Sequence, residues 1–590
     1  MNATPAANSR AVGSEARQPA FRILLLALLL AWGVGLFARS YWTPDEPREA
    51  ALAASMLGGP LALPQLAGVT FAEKPPLTYW LSGASMRLFG ATAAAARAPL
   101  LLYALLGVLA IARLGRAAGG RATGYAAGAL FATALLGFQV QIWLECDALL
   151  LCGVCLALCG GYLGLAARSP QQRCVWYLLL HIGLTLAFFA KNFAGWLVPV
   201  TALASFILWE RRWRELLRWE LWVGVLVPLL AIAAWTLAVA HGPQGAATLR
   251  ILFWDNLVGR ALPVAAPTPY AYALAHRNAP GKYLGELLID LLPWSALLLC
   301  ALGRVGGSLA TRTALPGAWR FALCASVPAL LILSFAATAR SIYAAPCIPA
   351  LALLCALWIT SAGAGRSARL ALIVSRVLIA VLAAALTLVA IELLRLGAPV
   401  AMGLCVLSAV ASFSIFSALL LQWDQRAREP PAALTMQACA FALLLALGPL
   451  APLRVFDHGQ DFAPLARSVG LASEGAPLLL WHPDETTLAW AQLYLPPAQW
   501  RALRSEQPDT ATQLDEAVAS DAALEVLVQV PAPAWKFHEW QRFLRDGSVA
   551  APAPGAIAIE PALEAAHLLG VAVIERPGGR RYLLLRRSAS

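Results

Sequence analysis

The stretch that organises this chain runs from residue 41 to residue 81 and reads YWTPDEPREAALAASMLGGPLALPQLAGVTFAEKPPLTYWL. It directly follows the first apolar segment, so it begins where the chain leaves the hydrocarbon layer of a membrane. Its charged residues include Asp45, Glu46, Arg48, Glu73 and Lys74. Ionisable side chains at a membrane boundary are costly unless they are paired or wet, and they therefore mark a candidate functional site.

The composition of the chain is that of a membrane protein. Of its 590 residues, 60% are hydrophobic and 13% are charged, and the mean hydropathy is +0.68. Soluble domains are about half apolar and about a quarter charged. We therefore predict an α-helical polytopic membrane protein with about 13 transmembrane helices, each long enough to cross about 30 Å of hydrocarbon. The predicted helices cover residues 21–38, 97–113, 123–143, 147–166, 174–190, 193–209, 221–240, 283–302, 321–338, 342–361, 370–394, 398–422 and 433–452.

The net charge of +12 bears on orientation in the membrane. Most Arg residues lie in short connections between apolar segments, which the positive-inside rule explains better than nucleic-acid binding does. The sequence predicts a multi-pass membrane protein with a cytoplasmic N-terminus. Alternation of the helices then places the loops 41–96 and 241–282 on the outer, periplasmic side, together with the chain after residue 453.

The pattern of apolar residues changes after about residue 454. Short apolar runs at 476–481, 524–530, 570–575 and 581–587 alternate with stretches of helical pattern, which indicates a small α/β domain. The predicted organisation is therefore a transmembrane domain over residues 1–453, whose outer loops form the site, and a periplasmic α/β domain over residues 454–590.

Lysine is rare, and its positions are informative. The chain has Lys only at 74, 191, 282 and 536, and the first three lie at or beside outer connections, where positive-inside bias does not explain them. An ammonium group is a compact point charge suited to phosphate, which membranes offer on lipid carriers. The alternative is that these side chains extend to the membrane interface without binding anything.

Two acidic pairs are candidates for catalysis. Asp45 and Glu46 are adjacent, so they point to different sides, and we expect one to be catalytic and the other structural. This argues against a glycosidase, in which two carboxylates flank one bond, and favours a transfer reaction with one base beside cations. Asp45 could instead be a helix N-cap. At the second pair, Glu145 and Asp147, we expect Asp147 to face the same cavity.

Several ordered motifs resemble one family of membrane enzymes. DEPREAALAASML from residue 45, FAEKPPLTYWL from residue 71 and AKNFAGWLVP from residue 190 are followed by WDNLVGR from 254, LLPW from 291 and ARSIYAAPCIPALALL from 339. Over about residues 23–360 they resemble the bacterial aminoarabinose transferases. That family is related to the protein O-mannosyltransferases and belongs to the membrane glycosyltransferases that use polyprenyl phosphate sugars, with the C-type fold.

The resemblance implies transfer of a sugar from an undecaprenyl phosphate donor to an acceptor on the outer side of the inner membrane. It implies that Asp45 is the catalytic residue and Asp147 a second essential acid. The Lys and Tyr that match Lys74 and Tyr343 contact the carrier phosphate in such enzymes, with Arg260 as a helper. Three further cations, Arg48, Lys191 and Arg340, complete the predicted phosphate-binding set.

This chain departs from the family pattern in two places. Asn256 stands where the family tends to have a His four residues before the Arg of the second outer loop, which weakens a metal site shared with Glu73. The aromatic run in the same loop is reduced to His276-Arg-Asn-Ala-Pro-Gly-Lys-Tyr283. We expect Glu46 and Glu73 to be structural unless they hold a metal, we expect no required cofactor, and we leave a divalent cation open.

The sequence thus predicts an inverting, polyprenyl phosphate sugar-dependent glycosyltransferase. Its partners would be the lipid-linked donor, the bilayer, and an acceptor that is lipid A, another envelope lipid, a glycan or a protein, with no nucleic acid. The alternative is a flippase or transporter of lipid-linked sugars. Transporters place polar groups near the bilayer midplane on broken helices in repeated halves, whereas the charges here crowd the outer boundary.

Overall fold

The computed structural model describes residues 17–256, 279–336, 340–362, 365–398, 400–421, 430–505, 507–531, 536–546, 552–576 and 580–588. Most of this chain is helical. The α-helices of the first half are α1 Arg17–Phe37, α2 Glu46–Ser55, α3 Leu77–Phe89, α4 Ala93–Gly119, α5 Arg121–Thr133, α6 Leu135–Ile142, α7 Cys146–Ala166, α8 Pro170–Lys191, α9 Leu197–Trp209, α10 Trp219–Val223, α11 Leu226–Ala240 and α12 Gly245–Arg250.

The second half continues in the same way and then gains a sheet. Its α-helices are α13 Lys282–Asp290, α14 Ser295–Ala310, α15 Gly317–Cys324, α16 Val327–Phe335, α17 Ile348–Ser361, α18 Arg366–Arg395, α19 Met402–Leu421, α20 Pro430–Leu447, α21 Leu450–Gln460, α22 Ala463–Ala472, α23 Glu485–Tyr494, α24 Thr510–Ser520, α25 Phe537–Asp546 and α26 Pro561–Ala565. The strands are β1 Gln65–Leu66, β2 Val69–Thr70, β3 Leu478–Trp481, β4 Trp500–Leu503, β5 Glu525–Val530, β6 Leu568–Arg576 and β7 Arg580–Arg587.

The multi-pass architecture predicted from the sequence is confirmed. Within the described residues, 9 helical stretches are long and apolar enough to cross a membrane, or 10 if α5 and α6, which meet at 65°, form one span. The predicted segment 283–302 is broken into α13 and α14, because Pro293 between them cannot donate a helical hydrogen bond. The stretch Pro170–Trp209 has 40 residues and is interrupted by a 3₁₀ turn at Asn192–Trp196.

The helices α7 and α8 are packed unusually closely. A Cβ atom added at Gly160 would lie 2.4 Å from the backbone nitrogen of Leu180, and one at Gly153 would lie 2.7 Å from that of Ala187. Only glycine permits this approach, and small residues of this kind are common where membrane helices touch. Since α7 begins at Cys146 and α8 ends at Lys191, the antiparallel pair brings Asp147 and Lys191 to the same end.

In the first loop, the mixed apolar and polar faces of residues 49–57 and 77–89 predict two helices lying along the membrane interface. The second prediction has the bounds of α3, but α2 covers Glu46–Ser55 instead and is buried rather than interfacial. Glu49 and the four residues after it, Ala50 to Ala53, are all buried. Ala51 and Leu52 pack in one cluster with Leu488 and Ala489 of α23. The apolar face of α2 is therefore covered by the C-terminal part of the chain.

The C-terminal residues form a five-stranded mixed sheet. Its strand order is β4-β3-β5-β7-β6, in which β3 is parallel to β4 and β5, while β7 is antiparallel to β5 and β6. The four apolar runs identified in the sequence coincide with β3, β5, β6 and β7, and the predicted boundary at residues 453 and 454 falls within α21. Both faces of the sheet are covered by apolar clusters, as in a layered α/β arrangement.

Candidate active site

A cavity of about 450 Å³ lies where the first outer loop, α7, the end of α8 and the Ser341–Cys347 turn meet. One part of its wall is polar and the other is apolar. The polar lining residues are Glu73, Lys74, Asp147, Lys191, Asn192, Asn256 and Tyr343. The apolar wall includes Leu150, Phe193, Leu197, Val198, Ile332 and Leu333. Residues distant in sequence thus converge on a space of the size that small ligands occupy.

Lys191 is fixed on one side of this cavity. Its Nζ lies 2.7 Å from Oδ1 of Asp147 and 5.1 Å from the ring centre of Tyr343. Asn192, the next residue, has a φ of 56° and donates a hydrogen bond from Nδ2 to the carbonyl of Leu252. The break at the end of α8 therefore aims the ammonium group into the cavity.

Lys74 supplies a second cation to the same cavity. Its Nζ lies 3.0 Å from Oε1 of Glu49, and its side chain is mostly buried. Burial lowers the pKa of Lys74, but Coulombic interactions with Cys146 and Glu49 outweigh burial and hold that pKa well above its usual range. Lys74 therefore carries a full positive charge inside the protein, where a charge acts more strongly than in water.

Asp45 does not line the cavity directly but lies among the cations beside it. Its Oδ1 is 3.0 Å from Nη2 of Arg48, and its Oδ2 is 3.5 Å from Nη2 of Arg340. Although Asp45 precedes the first turn of α2, its side chain makes no capping hydrogen bond within the described part of the chain. The N-cap alternative raised from the sequence therefore does not explain this carboxylate.

Asp45 and Glu145 are two carboxyl groups joined by a hydrogen bond. Burial raises the pKa of both groups, but Arg48 and a hydrogen bond from Glu145 lower that of Asp45. The pKa of Glu145 is held well above its usual range by burial and by the charges of Asp147 and Asp45. We therefore expect one proton to reside on Glu145 and Asp45 to be ionised, because two adjacent carboxylates do not both ionise readily.

Glu46 faces away from the cavity, as the adjacency argument predicted. Its carboxylate binds Arg39 (Nη1–Oε2, 2.5 Å) and Arg97 (Nη2–Oε2, 2.6 Å), and it accepts a bond of 2.9 Å from the backbone nitrogen of Leu144. Burial raises the pKa of Glu46, but the two guanidinium groups lower it to about 2. Both oxygens are occupied by protein donors, so Glu46 connects the loop to the ends of α1 and α4.

Glu73 lines the cavity beside Asn256. Asn256 donates hydrogen bonds from Nδ2 to the carbonyls of Ala72 and Glu73, at 3.1 and 3.3 Å, and so ties the second outer loop to the first. Among the residues that the structure describes, no group of three His, Cys, Asp or Glu side chains has an arrangement that could hold a metal ion. Arg260, predicted at the phosphate, and His276 lie outside the described residues.

Two acidic residues of this region, Glu49 and Glu485, were not identified from the sequence, and a third, Glu145, was identified without a role. Glu49 binds both Lys74 and Arg48, Glu145 is hydrogen-bonded to Asp45, and Glu485 of α23 binds Arg48 at 2.8 Å. The spacing of Glu49 after Asp45, four residues along a helix, places the two on one face and could have identified it. No pattern in the sequence indicates that Glu485, 437 positions from Arg48, reaches the same cluster.

Comparisons with known proteins agree with the motifs. The model of the family described as dolichyl-phosphate-mannose-protein mannosyltransferase matches residues 73–237. An undecaprenyl phosphate-alpha-4-amino-4-deoxy-L-arabinose arabinosyl transferase of Pseudomonas aeruginosa (strain UCBPP-PA14) is 32% identical over 289 residues, which are 48% of this chain and 50% of that protein. The protein of the same name from Edwardsiella ictaluri is 30% identical over 344 residues, which are 56% of this chain and 58% of that protein. The chain therefore spans about half the length of the curated relatives it matches.

The fold agrees over a longer range than the sequence does. The crystal structure of ArnT from Cupriavidus metallidurans bound to undecaprenyl phosphate superimposes with a TM-score of 0.69 and 19% identity, over 95% of this chain and 97% of that chain. The crystal structure of the same protein in the apo state gives a TM-score of 0.67 and 18% identity, over 96% of this chain and 98% of that chain. The resemblance to the aminoarabinose transferases and their O-mannosyltransferase relatives is confirmed, and since the named relatives are transferases, the flippase alternative is not favoured.

Proposed function

We propose that this chain, whose sequence and fold resemble those of the aminoarabinose transferases, is an inverting membrane glycosyltransferase. It moves a sugar from an undecaprenyl phosphate-linked donor to an acceptor at the periplasmic face of the inner membrane. The acceptor is lipid A or another envelope lipid, a glycan or a protein. The observation that carries this proposal is the single cavity that joins Lys74, Lys191 and Asp147 to an apolar wall.

The two parts of the cavity suit the two parts of a lipid-linked sugar. A polyprenyl chain is apolar and suits the wall of Leu197, Ile332 and Leu333, whereas a phosphate needs cations and hydrogen-bond donors. Lys74 and Lys191 supply the charge, and the Tyr343 hydroxyl supplies a donor. Arg48 and Arg340 border this cluster through Asp45, and Arg260 completes the proposed set.

In the proposed reaction, Asp45 orients the acceptor hydroxyl and accepts its proton as bonding changes. The acceptor oxygen attacks the anomeric carbon from the face opposite to the phosphate, so the configuration inverts. The bond between that carbon and the phosphate oxygen breaks, and its electron pair leaves on the carrier phosphate. Lys74 and Lys191 stabilise the charge that the phosphate gains.

The ion pairs of the free protein explain how Asp45 could become more basic when the donor binds. Arg340 and Lys74 both lower the pKa of Asp45 in the absence of substrate. A donor phosphate that binds these cations would withdraw part of their charge from the carboxylate and raise its proton affinity. Asp147 positions Lys191, with which it forms an ion pair. We place Asp147 on the sugar side of the cavity.

No resident cofactor takes part in the proposed reaction, because Lys74 and Lys191 supply positive charge next to the leaving phosphate. Transfer assayed with and without a chelator tests this part of the proposal. Loss of activity in chelator, restored by a divalent cation, would assign a role to a metal beside Glu73.

We propose the full topology of 13 spans, with the N-terminus cytoplasmic and the C-terminal α/β domain periplasmic. The stretch Pro170–Trp209 is about 60 Å long as helix, which is enough for two spans, and α1 and α14 are apolar helices just below the usual length. Reporter fusions after Arg218 and Arg320 should be cytoplasmic, and fusions after Gly259 and Ser468 periplasmic. A cytoplasmic report for the last fusion would overturn the topology.

The direct test of the function uses purified protein in lipid nanodiscs. Undecaprenyl phosphate-linked aminoarabinose is supplied with lipid A, and product is measured by mass spectrometry beside an active aminoarabinose transferase. To test other sugars and acceptors, lipid-linked sugars and envelope acceptors from a deletion strain are compared in parallel. Envelope glycans and lipids unchanged by deletion, together with no transfer from any lipid-linked donor, would overturn the proposal.

A further inference from the structure

The C-terminal helix α23 is fixed directly on α2, the helix that follows Asp45. Leu488 and Ala489 pack against Ala51 and Leu52 in one buried cluster. Gln492 donates a hydrogen bond of 2.8 Å from Nε2 to the carbonyl of Ala51. The first residue of α23 is therefore held in a constant position relative to the start of α2.

That first residue, Glu485, contacts the guanidinium group of Arg48. Its Oε2 lies 2.8 Å from Nη1 of Arg48, while Nη2 of the same group lies 3.0 Å from Asp45 and 3.1 Å from Glu49. A guanidinium is planar and rigid, so holding one nitrogen sets the direction of the other. Arg48 is mostly buried, which leaves its head group little freedom to reorient.

We propose that Glu485 is a positioning residue for Asp45 and acts through Arg48. This inference rests on the proposed function, in which Asp45 orients and deprotonates the acceptor. It gives the C-terminal sheet and its helices a role in the reaction, because they carry the residue that fixes the cation nearest the catalytic carboxylate. Small displacements of a catalytic group reduce turnover strongly even when binding is retained.

The test is a double-mutant cycle in transfer assays. Glu485→Ala should lower kcat about fivefold to tenfold and leave the KM for the donor within about twofold, and Glu485→Gln, which keeps an acceptor oxygen, should lose less. In an Arg48→Ala background, Glu485→Ala should have no further effect, because Arg48 transmits its influence. Equal losses in both backgrounds, or no loss in the wild-type background, would overturn the proposal.

Asp484→Asn is the matched control for this cycle. Asp484 accepts a hydrogen bond from Thr487 at the start of α23 and pairs with Arg580, so the amide keeps the cap and removes one charge beside Glu485. We expect its kcat to be unchanged. If the wild-type protein transfers no sugar, the proposed function fails, and the coupling of Glu485 to Arg48 is then measured by the same cycle in thermal unfolding.

A second cavity lies at the end of α4 opposite to Arg97. This cavity of about 190 Å³ opens where α1, α4 and α5 meet, and Arg113, Arg116 and Arg121 all line it. Phe21 and Tyr125, stacked at 4.5 Å, form part of its wall. Three cations and an aromatic wall around one space resemble the basic pockets in which membrane proteins bind lipid head groups.

The arginines of this cavity are available to a ligand. They are exposed, and among the described residues none of the three forms an ion pair, although Arg113 lies 5.2 Å from the ring centre of Trp176. Arg121 is also the first residue of α5, where the helix dipole favours an anion. The positive-inside rule explains why arginines occur at this end of the helices, but not why three of them surround one cavity.

We infer that this cavity binds the phosphodiester head group of an anionic membrane phospholipid. The arginines would contact the phosphate oxygens, and the acyl chains would continue along the apolar surface of α1 and α4. The inference is independent of the proposed function, because it concerns a different end of the helices and requires no transfer.

The test measures retention of phosphatidylglycerol by purified protein in native mass spectrometry. Arg113→Gln, Arg116→Gln and Arg121→Gln combined should reduce retention about tenfold, whereas the same change at Arg304, Arg312 and Arg366, which are exposed and do not line this cavity, should not. Equal loss in both triple variants would indicate general surface charge and overturn the site. Displacement of the lipid by millimolar inorganic phosphate would show a free-anion site and overturn the lipid assignment.

Discussion

Two carboxylates that are neighbours in the sequence lie in opposite kinds of environment. Glu46 is enclosed by Arg39 and Arg97, with both oxygens bound by groups of the protein. Asp45 is bound by Arg48 and by a half-exposed Arg340, next to a cavity that contains further cations. The first arrangement holds the loop to the helices, whereas the second leaves cations that a ligand could engage. Ion pairing alone therefore does not identify a functional site, and access to a cavity distinguishes the two.

The largest expected effect is on the enclosed cluster. Glu46→Ala leaves Arg39 and Arg97 buried without their common partner, and breaking a buried pair in this way costs about 3–5 kcal/mol. We expect a large fall in thermal stability and in the amount of folded protein in the membrane. Glu392→Ala is the control, because its pair with Arg395 is exposed and should contribute about 0–1 kcal/mol. Equal stability of the two variants would show that the enclosed cluster is not structural.

The second prediction concerns Asp45. Asp45→Asn keeps the shape of the side chain but removes its charge and basicity, so transfer should fall at least about a hundredfold, the low end for general acid–base catalysis. Thermal stability should fall far less than in Glu46→Ala. The measurement is the transfer rate of purified variants with a lipid-linked donor. An active Asp45→Asn variant would contradict the mechanism proposed here.

The sequence predicted this contrast only in part. Because Asp45 and Glu46 are adjacent, the sequence predicted that they face different ways. The alternation of helices across the membrane and the positions of the lysines predicted that Lys74, Lys191 and Asp147 lie near one site. The pairing of the charges was not predictable. Arg39, just after α1, and Arg97, in α4, reach Glu46 from segments that precede and follow it. Glu145 and Glu485 come from distant segments. Such contacts depend on how the helices pack in three dimensions, which local patterns do not specify.

The fold shows a similar limit. Length and hydropathy located the membrane helices, because the thickness of the hydrocarbon fixes how many apolar residues a span needs. They did not locate the break at Pro293 or the 65° bend between α5 and α6. They also suggested an interfacial α2, since an apolar face covered by a distant domain has the same sequence pattern as one covered by lipid.

The third prediction removes one cavity cation. Lys74→Ala loses a charge-assisted contact with the donor phosphate, worth about 1.5–3 kcal/mol, so activity should fall by about tenfold or more. Lys282→Ala is the matched control, because Lys282 begins α13 and pairs with Glu286 outside the cavity lining. Its turnover should stay within about twofold of wild type. Unchanged donor binding and turnover in Lys74→Ala would assign that residue to a structural pair with Glu49.

The variant with the smallest expected effect on transfer, Glu145→Gln, tests which of the two carboxyl groups, Asp45 or Glu145, carries the proton. If Glu145 is protonated, Glu145→Gln replaces a carboxylic acid with an amide that can also donate a hydrogen bond to Asp45, so transfer should stay within about threefold of wild type. Glu145→Ala, which cannot donate, should lose more. Equal losses in the two variants would place the proton elsewhere.

The stability of the same variants should depend on pH in a defined direction. Because the folded state keeps the Glu145 proton after the unfolded chain has released it, wild-type protein binds more protons when folded above about pH 4.5, the usual range for Glu. Stability then falls as the pH rises from about 4.5. Glu145→Gln has no such proton, so it should lose less stability than wild type between pH 5 and about pH 8. Parallel pH profiles of thermal unfolding for the two proteins would mean that Glu145 is ionised in the fold, and the amide would then no longer mimic it.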